Sequence, residues 1–559
     1  MQNSIKPMPV GVEDFKKLRE KYHFVDKTRF IRELIDKHSD ITLITRPRRF
    51  GKTLTMSMLQ YFFTVDNAED NRRLFSGLDI ELAGNEYMQE QGSRPVIGLS
   101  LKDAARREFI DTLDTLAQTM QMTYEEHDYL LSSPALKPWQ QDYFRRILAG
   151  AATSAELASS LKHLMNYLAT YWKKKPVLLL DEYDAPILAA WEYGYYPQCI
   201  DFMRTFLTTA LKSNNYLDFS ILAGITRVSK ESIFSGLNNL NVYTVLSDRY
   251  SDIFGFTQPE VDKLMHDCGM DSHRSQLKKW YDGYKFGHLD IYNPWSVIKF
   301  IDSGCEFKPY WINVSSNAIL KDLLTNIDAE RRQELVDLLH GNTAKTPVME
   351  NIVYADLHDN RDALFMMLLV TGYLKAIEVY KDKRDQEWAL LNIPNREIKI
   401  AYENDILSHI APKRGISLLD GMLEAMTSGN VSKFADKLTL LLKDFVSYHD
   451  MDKNPENFYH GLMLGLSVLL DGEYRIESNR ESGYGRFDLA FFPLKKANAG
   501  VIIELKAAKS TGELSKLAQN AIQQIKDKEY TRELERQGVK CIWKYGIAVH
   551  GKNVHIVGV

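Results

Sequence analysis

Apolar residues along this chain follow two spacings, and the spacing predicts its elements. Ile31 to Lys37 reads as a short helix. Ile41 to Thr45 is a β-branched run, the loop RPRRFGKT follows, and LTMSMLQYFF then has helical spacing. PVIGLSL (95–101), PVLLL (176–180) and FSILAGI (219–225) are further apolar runs of strand length. A polar-helical stretch from about Ala104 to Trp172 separates the first two of these. Continuous apolar strands alternating with helices predict a parallel sheet covered on both faces.

After about Gln258 the pattern turns helical. SVIKFI, NAILKDLL and RRQELVDLL all have helical spacing. LFMMLLVTGYLKAIEVY then runs into EWALLNIP and REIKIAY, a helix, a turn and strand-like runs that would suit a small winged-helix unit. From about Glu456 the order changes again. FYHGLMLGLSVLL reads as a helix, EYRIES, RFDLAFF and GVIIELKA as strands, and GELSKLAQNAIQQIKDKEYTRELERQ as one long helix. VKCIWKYGIAVHG and NVHIVGV would close the chain as a hairpin. The expected division is 1–257, 258–450 and 451–559: an α/β core with a parallel sheet, a helical region, and a second α/β domain.

Composition adds bounds. A chain of 559 residues is too long for one core. Its 45% hydrophobic and 26% charged content is that of a globular protein. A net charge of -4 excludes a uniformly basic nucleic-acid coat but leaves room for a local basic groove. Cys199, Cys268, Cys305 and Cys541 are too scattered for a zinc or redox motif. No signal-peptide core and no membrane-length apolar run is visible, so the expected setting is the cytoplasm, with no membrane partner.

The loop Arg46-Pro-Arg-Arg-Phe-Gly-Lys-Thr53 nearly fits G-x-x-x-x-G-K-[ST], with Arg46 in place of the first glycine. Gly51 would let backbone amides turn towards phosphate, Lys52 would reach the β- and γ-phosphates, and Thr53 would hold Mg²⁺. Leu54 falls in the same helix start, and Arg48 and Arg49 would contact phosphate or remain solvated loop charges. VLLLDEYDAP supplies a partner at a strand end: Asp181 for the Mg²⁺ shell and Glu182 for the attacking water. Past the fourth strand, Thr226 would sense the γ-phosphate. Arg227 would act as an arginine finger, in cis or, in a homo-oligomer, in trans. A capping threonine and a surface ion pair fit those two residues equally well.

RPRRFGKT, LLLDEYDAPI, GITRVSKESIFSGLNNL and WYDGYKFG, with HFVDKTRFI upstream, together resemble the AAA-ATPase-like proteins fused to a C-terminal PD-(D/E)xK nuclease-like domain. The resemblance covers nearly the whole chain. It implies an N-terminal P-loop NTPase core of the additional-strand class, with its catalytic glutamate on the Walker B strand, and a C-terminal α/β restriction-endonuclease-like domain. It also implies that arginine at position 46 is ordinary for the family.

The C-terminal stretch RFDLAFFPLKKANAGVIIELK carries charges inside apolar runs, which is costly unless they are paired or bind a metal. Glu504 and Lys506 are two apart on an expected strand and so share a face. A hairpin through PLKKANAG would bring Asp488 beside Glu504. Two carboxylates that close repel, and a hard divalent ion, Mg²⁺ or Mn²⁺, would relieve the repulsion. The Leu505 carbonyl would add an oxygen, and Lys506 would stabilise developing phosphate charge or help deprotonate water. A metal-free Lys506 ion pair is the plainer alternative. The resemblance makes Asp488, Glu504 and Lys506 the signature triad and matches Gln524 to a glutamine on the following helix. Glu477 is a weaker candidate acid. Lys509, Lys516, Lys526, Lys528 and Arg486 would line a nucleic-acid groove or form a solvated face, and His460 reads as a core or capping residue.

The expectation is therefore an ATP-binding and ATP-hydrolysing protein with a Mg²⁺-dependent nuclease domain, acting on nucleic acid, with DNA as the expected substrate, and gated by ATP. The competing expectation is an ATP-driven signalling or defence switch whose C-terminal domain binds nucleic acid without cutting it.

Overall fold

The computed structural model describes residues 6–559 except 135, 228–238, 312–323, 325–328, 340, 350–361, 411–415, 446–458, 460–462, 464–469, 471–472, 479–480, 483–484 and 496. His460, NAILKDLL apart from Leu324, most of FYHGLMLGLSVLL, and the Arg486 side chain lie outside the described residues. The chain forms two compact units, Met1–Leu320 with Lys345–Ile398, and Lys321–Ala344 with Lys399–Val559.

In the first unit, five strands form one parallel sheet: β1 (Ile41–Thr45), β2 (Val96–Ser100), β3 (Val177–Asp181), β4 (Ser220–Gly224) and β5 (Leu240–Tyr243). Their order is β2-β3-β4-β1-β5. β1, β3 and β4 are buried along their whole length, as strands covered on both faces must be. β4 lies between the strand that enters the GKT loop and the strand that ends in Asp181, the inserted strand the resemblance implied. β5, half-buried at the sheet edge, has too weak an apolar pattern to be expected from sequence.

The polar-helical stretch is not continuous. It divides into helices Phe109–Glu125, Pro138–Leu148 and Ser154–Trp172. Pro138 opens the second, and a capping box between Thr153 and Glu156 opens the third. Helices Gln258–Asp267, Arg274–Tyr281 and Pro294–Asp302 make the middle of the chain helical. EWALLNIP supplies the strand Glu387–Asn392, antiparallel to Lys375–Lys381. REIKIAY, expected as strand-like, instead opens the helix Arg396–Ile410, because Asn395 Oδ1 caps it by accepting from Ile398 N at 3.0 Å.

The second unit holds a five-stranded sheet in the order Tyr474–Ser478, Leu489–Pro493, Gly500–Ala507, Ile542–His550, Asn553–Gly558. Only Gly500–Ala507 and Ile542–His550 are parallel, joined through the helix Leu514–Asp527. The last two strands form the expected hairpin. One face, with Val501, Ile503 and Leu505, packs on helices Ile416–Thr427 and Val431–Phe445. The other, with Ile502, packs on Ile522 and Ile525 of Leu514–Asp527. The long final helix expected from sequence is broken: Glu529 takes a left-handed conformation, and the chain restarts as Arg532–Arg536 with Tyr530 buried at the break.

Candidate functional site

β1 delivers the RPRRFGKT loop to the carboxyl end of the sheet, and the helix Lys52–Phe63 leaves from it. Gly51 caps that helix at φ 82, a conformation natural to glycine, and Arg49 adopts φ 70 in the same loop. Lys52 arches back over the loop, its Nζ donating to the carbonyls of Arg46 and Pro47 at 2.9 Å each. Burial lowers the Lys52 pKa, and the charge of Asp181 opposes that shift.

Thr53 Oγ1 donates to Asp181 Oδ2 at 2.6 Å, so the two expected Mg²⁺ ligands touch. Glu182 follows at φ 49, and burial raises the pKa of both acids. Arg48, Arg49, Lys52, Thr53, Leu54 and Glu182 line one cavity of about 520 Å³. Its far wall comes from the N-terminal segment at Met8–Pro9 and His23–Val25 and from Pro294 and Trp295. The Arg49 guanidinium stacks 3.7 Å over the Trp295 ring.

Two expected phosphate contacts face elsewhere. Arg46 is fully buried and does not line the cavity. It donates to the carbonyls of Thr45, Tyr243 and Tyr250 at 2.8–3.1 Å and lies over the rings of Phe254 and Phe286. Thr226 is buried at the end of β4, where its hydroxyl and its amide both donate to Asp184 Oδ2, at 2.9 and 2.8 Å. Arg227 follows it, half-buried.

Asp184 was missed in the sequence. It also accepts from Ile225 N at 2.9 Å and so ties the DEYD turn to the end of β4. Gly224 leaves room for it: a Cβ there would lie 2.6 Å from Asp184 Oδ1. WYDGYKFG also finds its role. Phe50 of the loop packs its ring 4.9 Å from Tyr284 and 5.0 Å from Phe286. These aromatic contacts hold the loop in shape from behind: Phe50 lines the cavity, whereas Tyr284 and Phe286 do not.

In the second unit, the pairing Leu489↔Ile503 puts Asp488, one residue before its strand, opposite Glu504. Asp488 Oδ2 accepts from Leu505 N at 2.7 Å. The amide and carbonyl of one strand residue face the same side, so the Leu505 carbonyl is turned to the side of the strand that Asp488 occupies. Glu504 is 2% exposed. Its Oε1 accepts from Lys506 Nζ at 2.8 Å and from Gln524 Nε2, while its Oε2 is buried with no hydrogen-bond partner among the described residues. Burial first, and then the Asp488 charge, push the Glu504 carboxyl up to about 7. The sequence-expected triad and Gln524 therefore meet.

Two carboxylates, an inward carbonyl and an orphaned acidic oxygen form an all-oxygen set that fits a hard cation. No cluster of three or more His, Cys, Asp or Glu side chains able to hold a metal occurs among the described residues; the acidic groups they bring together here are Asp488 and Glu504. Glu477 shares the face but pairs with Arg475 at 3.1 Å. Lys509, Lys516, Lys526 and Lys528 are exposed.

Comparison with known proteins agrees with both geometries. Residues 9–234 match the family model described as predicted AAA-ATPase, and residues 454–558 match that of the PD-(D/E)XK nuclease superfamily. The chain joins an AAA-ATPase-like domain to a PD-(D/E)XK nuclease superfamily domain. Proteins with these AAA-ATPase-like and PD-(D/E)XK domains generally use a nucleotide and a divalent metal. The AAA-ATPase-like part contains the GKT loop and Asp181, and the nuclease-superfamily part contains Asp488, Glu504, Lys506 and Gln524. The chain is also 27% identical over 551 residues to an uncharacterized protein in the vnfD 5' region of Azotobacter chroococcum, covering 96% of this chain and 95% of that one. That alignment spans most of both chains. Among the described residues, no helix is long and apolar enough to cross a membrane.

Proposed function

We propose that this protein binds and hydrolyses ATP in its N-terminal unit and cleaves DNA, with a divalent ion, in its C-terminal unit, and that the nucleotide state gates cleavage. In this reading residues 1–257 are the ATPase core, 258–450 the connecting region and 451–559 the nuclease. The observation that carries it is Glu504: one oxygen is held by Lys506 and Gln524, and the other is buried beside Asp488 with no hydrogen-bond partner among the described residues. A bare buried oxygen and a facing carboxylate both cost free energy, and a cation between them offsets both costs.

Asp488, Glu504 and the Leu505 carbonyl would hold Mg²⁺ or Mn²⁺, which when bound supplies Lewis acidity at the scissile phosphate. Lys506, cationic beside Glu504, stabilises negative charge developing on the phosphate oxygens. Gln524 fixes the Glu504 carboxylate so that Oε2 keeps its aim. In the other unit, Lys52 and the amides after Gly51 would hold phosphates at the helix start, with Arg48, Arg49 and Leu54 around them. Thr53 and Asp181 would hold the accompanying Mg²⁺, Glu182 would orient the attacking water, and Arg227 is the candidate finger. Arg46 and Thr226 are left out of this set because their polar atoms face carbonyls and Asp184.

The test uses the full-length chain with single- and double-stranded DNA and RNA, Mg²⁺ or Mn²⁺, with and without ATP. Wild type should cut DNA, Glu504→Ala should not, and Lys52→Ala should lose the response to ATP. Cleavage that survives Glu504→Ala overturns the nuclease assignment. Equal cleavage by Lys52→Ala and wild type under every ATP condition overturns gating. Binding of nucleic acid with no cleavage would favour the switch reading.

A further inference from the structure

We infer that Gly546 is a positioning residue that sets how closely Gln524 approaches Glu504. Its consequence for cleavage rests on the nuclease reading above, but its geometry does not. Gly500–Ala507 and Ile542–His550 run parallel with Glu504 opposite Gly546 and Lys506 opposite Ala548. Partners in such a ladder share a face. In the two rows that carry charged side chains, the neighbouring strand therefore offers a hydrogen atom and a methyl group.

The helix Leu514–Asp527 lies over those two small residues. Ala548 is fully buried against Leu514 and Ala518. A Cβ on Gly546 would lie 2.3 Å from Ala518 O and 2.7 Å from Ile522 N, where ordinary contact starts at 3.4 Å. Ala518 C=O and Ile522 N–H are one helical turn apart, the acceptor and donor of a helix hydrogen bond. The glycine thus sits under the helix backbone itself, and no rotamer change would relieve a clash. The φ of Gly546 is not positive, so the need is for space and not for an unusual backbone.

Gln524 projects from this helix two residues past Ile522. Its Nε2 donates to Glu504 Oε1 and lies 3.2 Å from the Tyr530 hydroxyl. A helix lifted by about an ångström carries the amide out of hydrogen-bond range of the carboxylate. Gly546 touches neither metal nor substrate; it acts through the height of the helix. Sequence reading passes over it because WKYGIAVHG looks like an ordinary buried strand.

The experiment follows the Gln524 side-chain amide by NMR in the metal-free full-length chain, with glutamine labelled with heavy nitrogen and the signal assigned by its loss in Gln524→Glu. In wild type the signal should be shifted and protected from solvent exchange. In Gly546→Ala it should move to the position of exposed glutamines such as Gln523. A folded Gly546→Ala with an unmoved signal overturns the inference, as does a wild-type signal already at the exposed position. Should Gly546→Ala not fold, Ala548→Val wedges the same helix more mildly and should move the signal the same way by less; no movement there overturns the inference too. If wild type cleaves DNA, Gly546→Ala should lower cleavage about tenfold or more. Adding Gln524→Ala should then cost nothing further, since both act through one hydrogen bond. A wild type that does not cleave sinks the nuclease reading, while the NMR signal still decides the role of Gly546.

Discussion

Thr53 and Asp181, 128 positions apart in the chain, are joined by a 2.6 Å hydrogen bond from the threonine hydroxyl to Asp181 Oδ2. The bond pins the first turn of the helix after the loop to the end of β3. Both groups are the oxygen ligands proposed for the nucleotide's metal, so in that reading the same pair would serve structure before ligand arrives and chemistry after.

Thr53→Ala therefore has two expected effects. It leaves the buried Asp181 carboxylate without this donor, which costs about 1–3 kcal/mol of stability, readable by urea unfolding. It also weakens Mg²⁺-dependent nucleotide binding, read by titration with a fluorescent ATP analogue. Thr53→Ser, which keeps the hydroxyl, should restore both.

Arg46 and Arg48 should separate stability from binding. Arg46→Ala removes the donor of three carbonyl hydrogen bonds in a buried position, with an expected loss of about 2–4 kcal/mol. Arg46→Lys should recover only part of it, because an ammonium cannot reproduce the planar stack over Phe286. Arg48→Ala, at the cavity wall, should change stability by less than about 0.5 kcal/mol and lower nucleotide affinity. Urea melts and nucleotide titrations on the three variants check this.

Asp184→Ala should destabilise the first unit by about 2–4 kcal/mol, because it removes one acceptor shared by the amides of Ile225 and Thr226 and the Thr226 hydroxyl. Hydrogen exchange should show the loss first at the end of β4. Unchanged protection there would contradict the role given to Asp184.

Glu504 makes stability depend on pH in a definite direction. Its carboxyl rises from the ordinary 4.5 to about 7 in the folded chain. Between those values the unfolded chain ionises first, so the native state loses stability as pH rises through the window, and the loss is complete above about 7. Glu504→Gln removes this ionisation. In EDTA it should match wild type near pH 4.5 and melt higher than wild type at pH 8, by an amount equivalent to a few kcal/mol at most. Equal melting temperatures at pH 8 would count against the buried, repelled carboxylate.

Much of the chemistry was legible because it lies in short runs whose geometry is local. RPRRFGKT follows a strand and starts a helix, and Glu504 and Lys506 share a face by period alone. Asp488 opposite Glu504 required only a hairpin. What escaped was set by distant partners. Arg46 looked like a phosphate ligand because its carbonyl acceptors, on Tyr243 and Tyr250, are about 200 residues away, at separations of 197 and 204. Thr226 looked like a sensor because Asp184 was invisible as its acceptor. REIKIAY reads as a strand from its isoleucines, but one asparagine cap starts a helix there. Gly546 left no trace in sequence, since nothing local distinguishes a glycine needed for space.

The stack of Arg49 on Trp295 gives the cavity beside the GKT loop an optical consequence. Indole emission responds to a charge lying against the ring, and Arg49 is on the loop that would close on a triphosphate. An anion that draws the guanidinium away changes the colour of that one fluorophore. With eight tryptophans in the chain, the Trp295→Phe difference spectrum isolates the signal, so the protein carries its own dye for watching the loop.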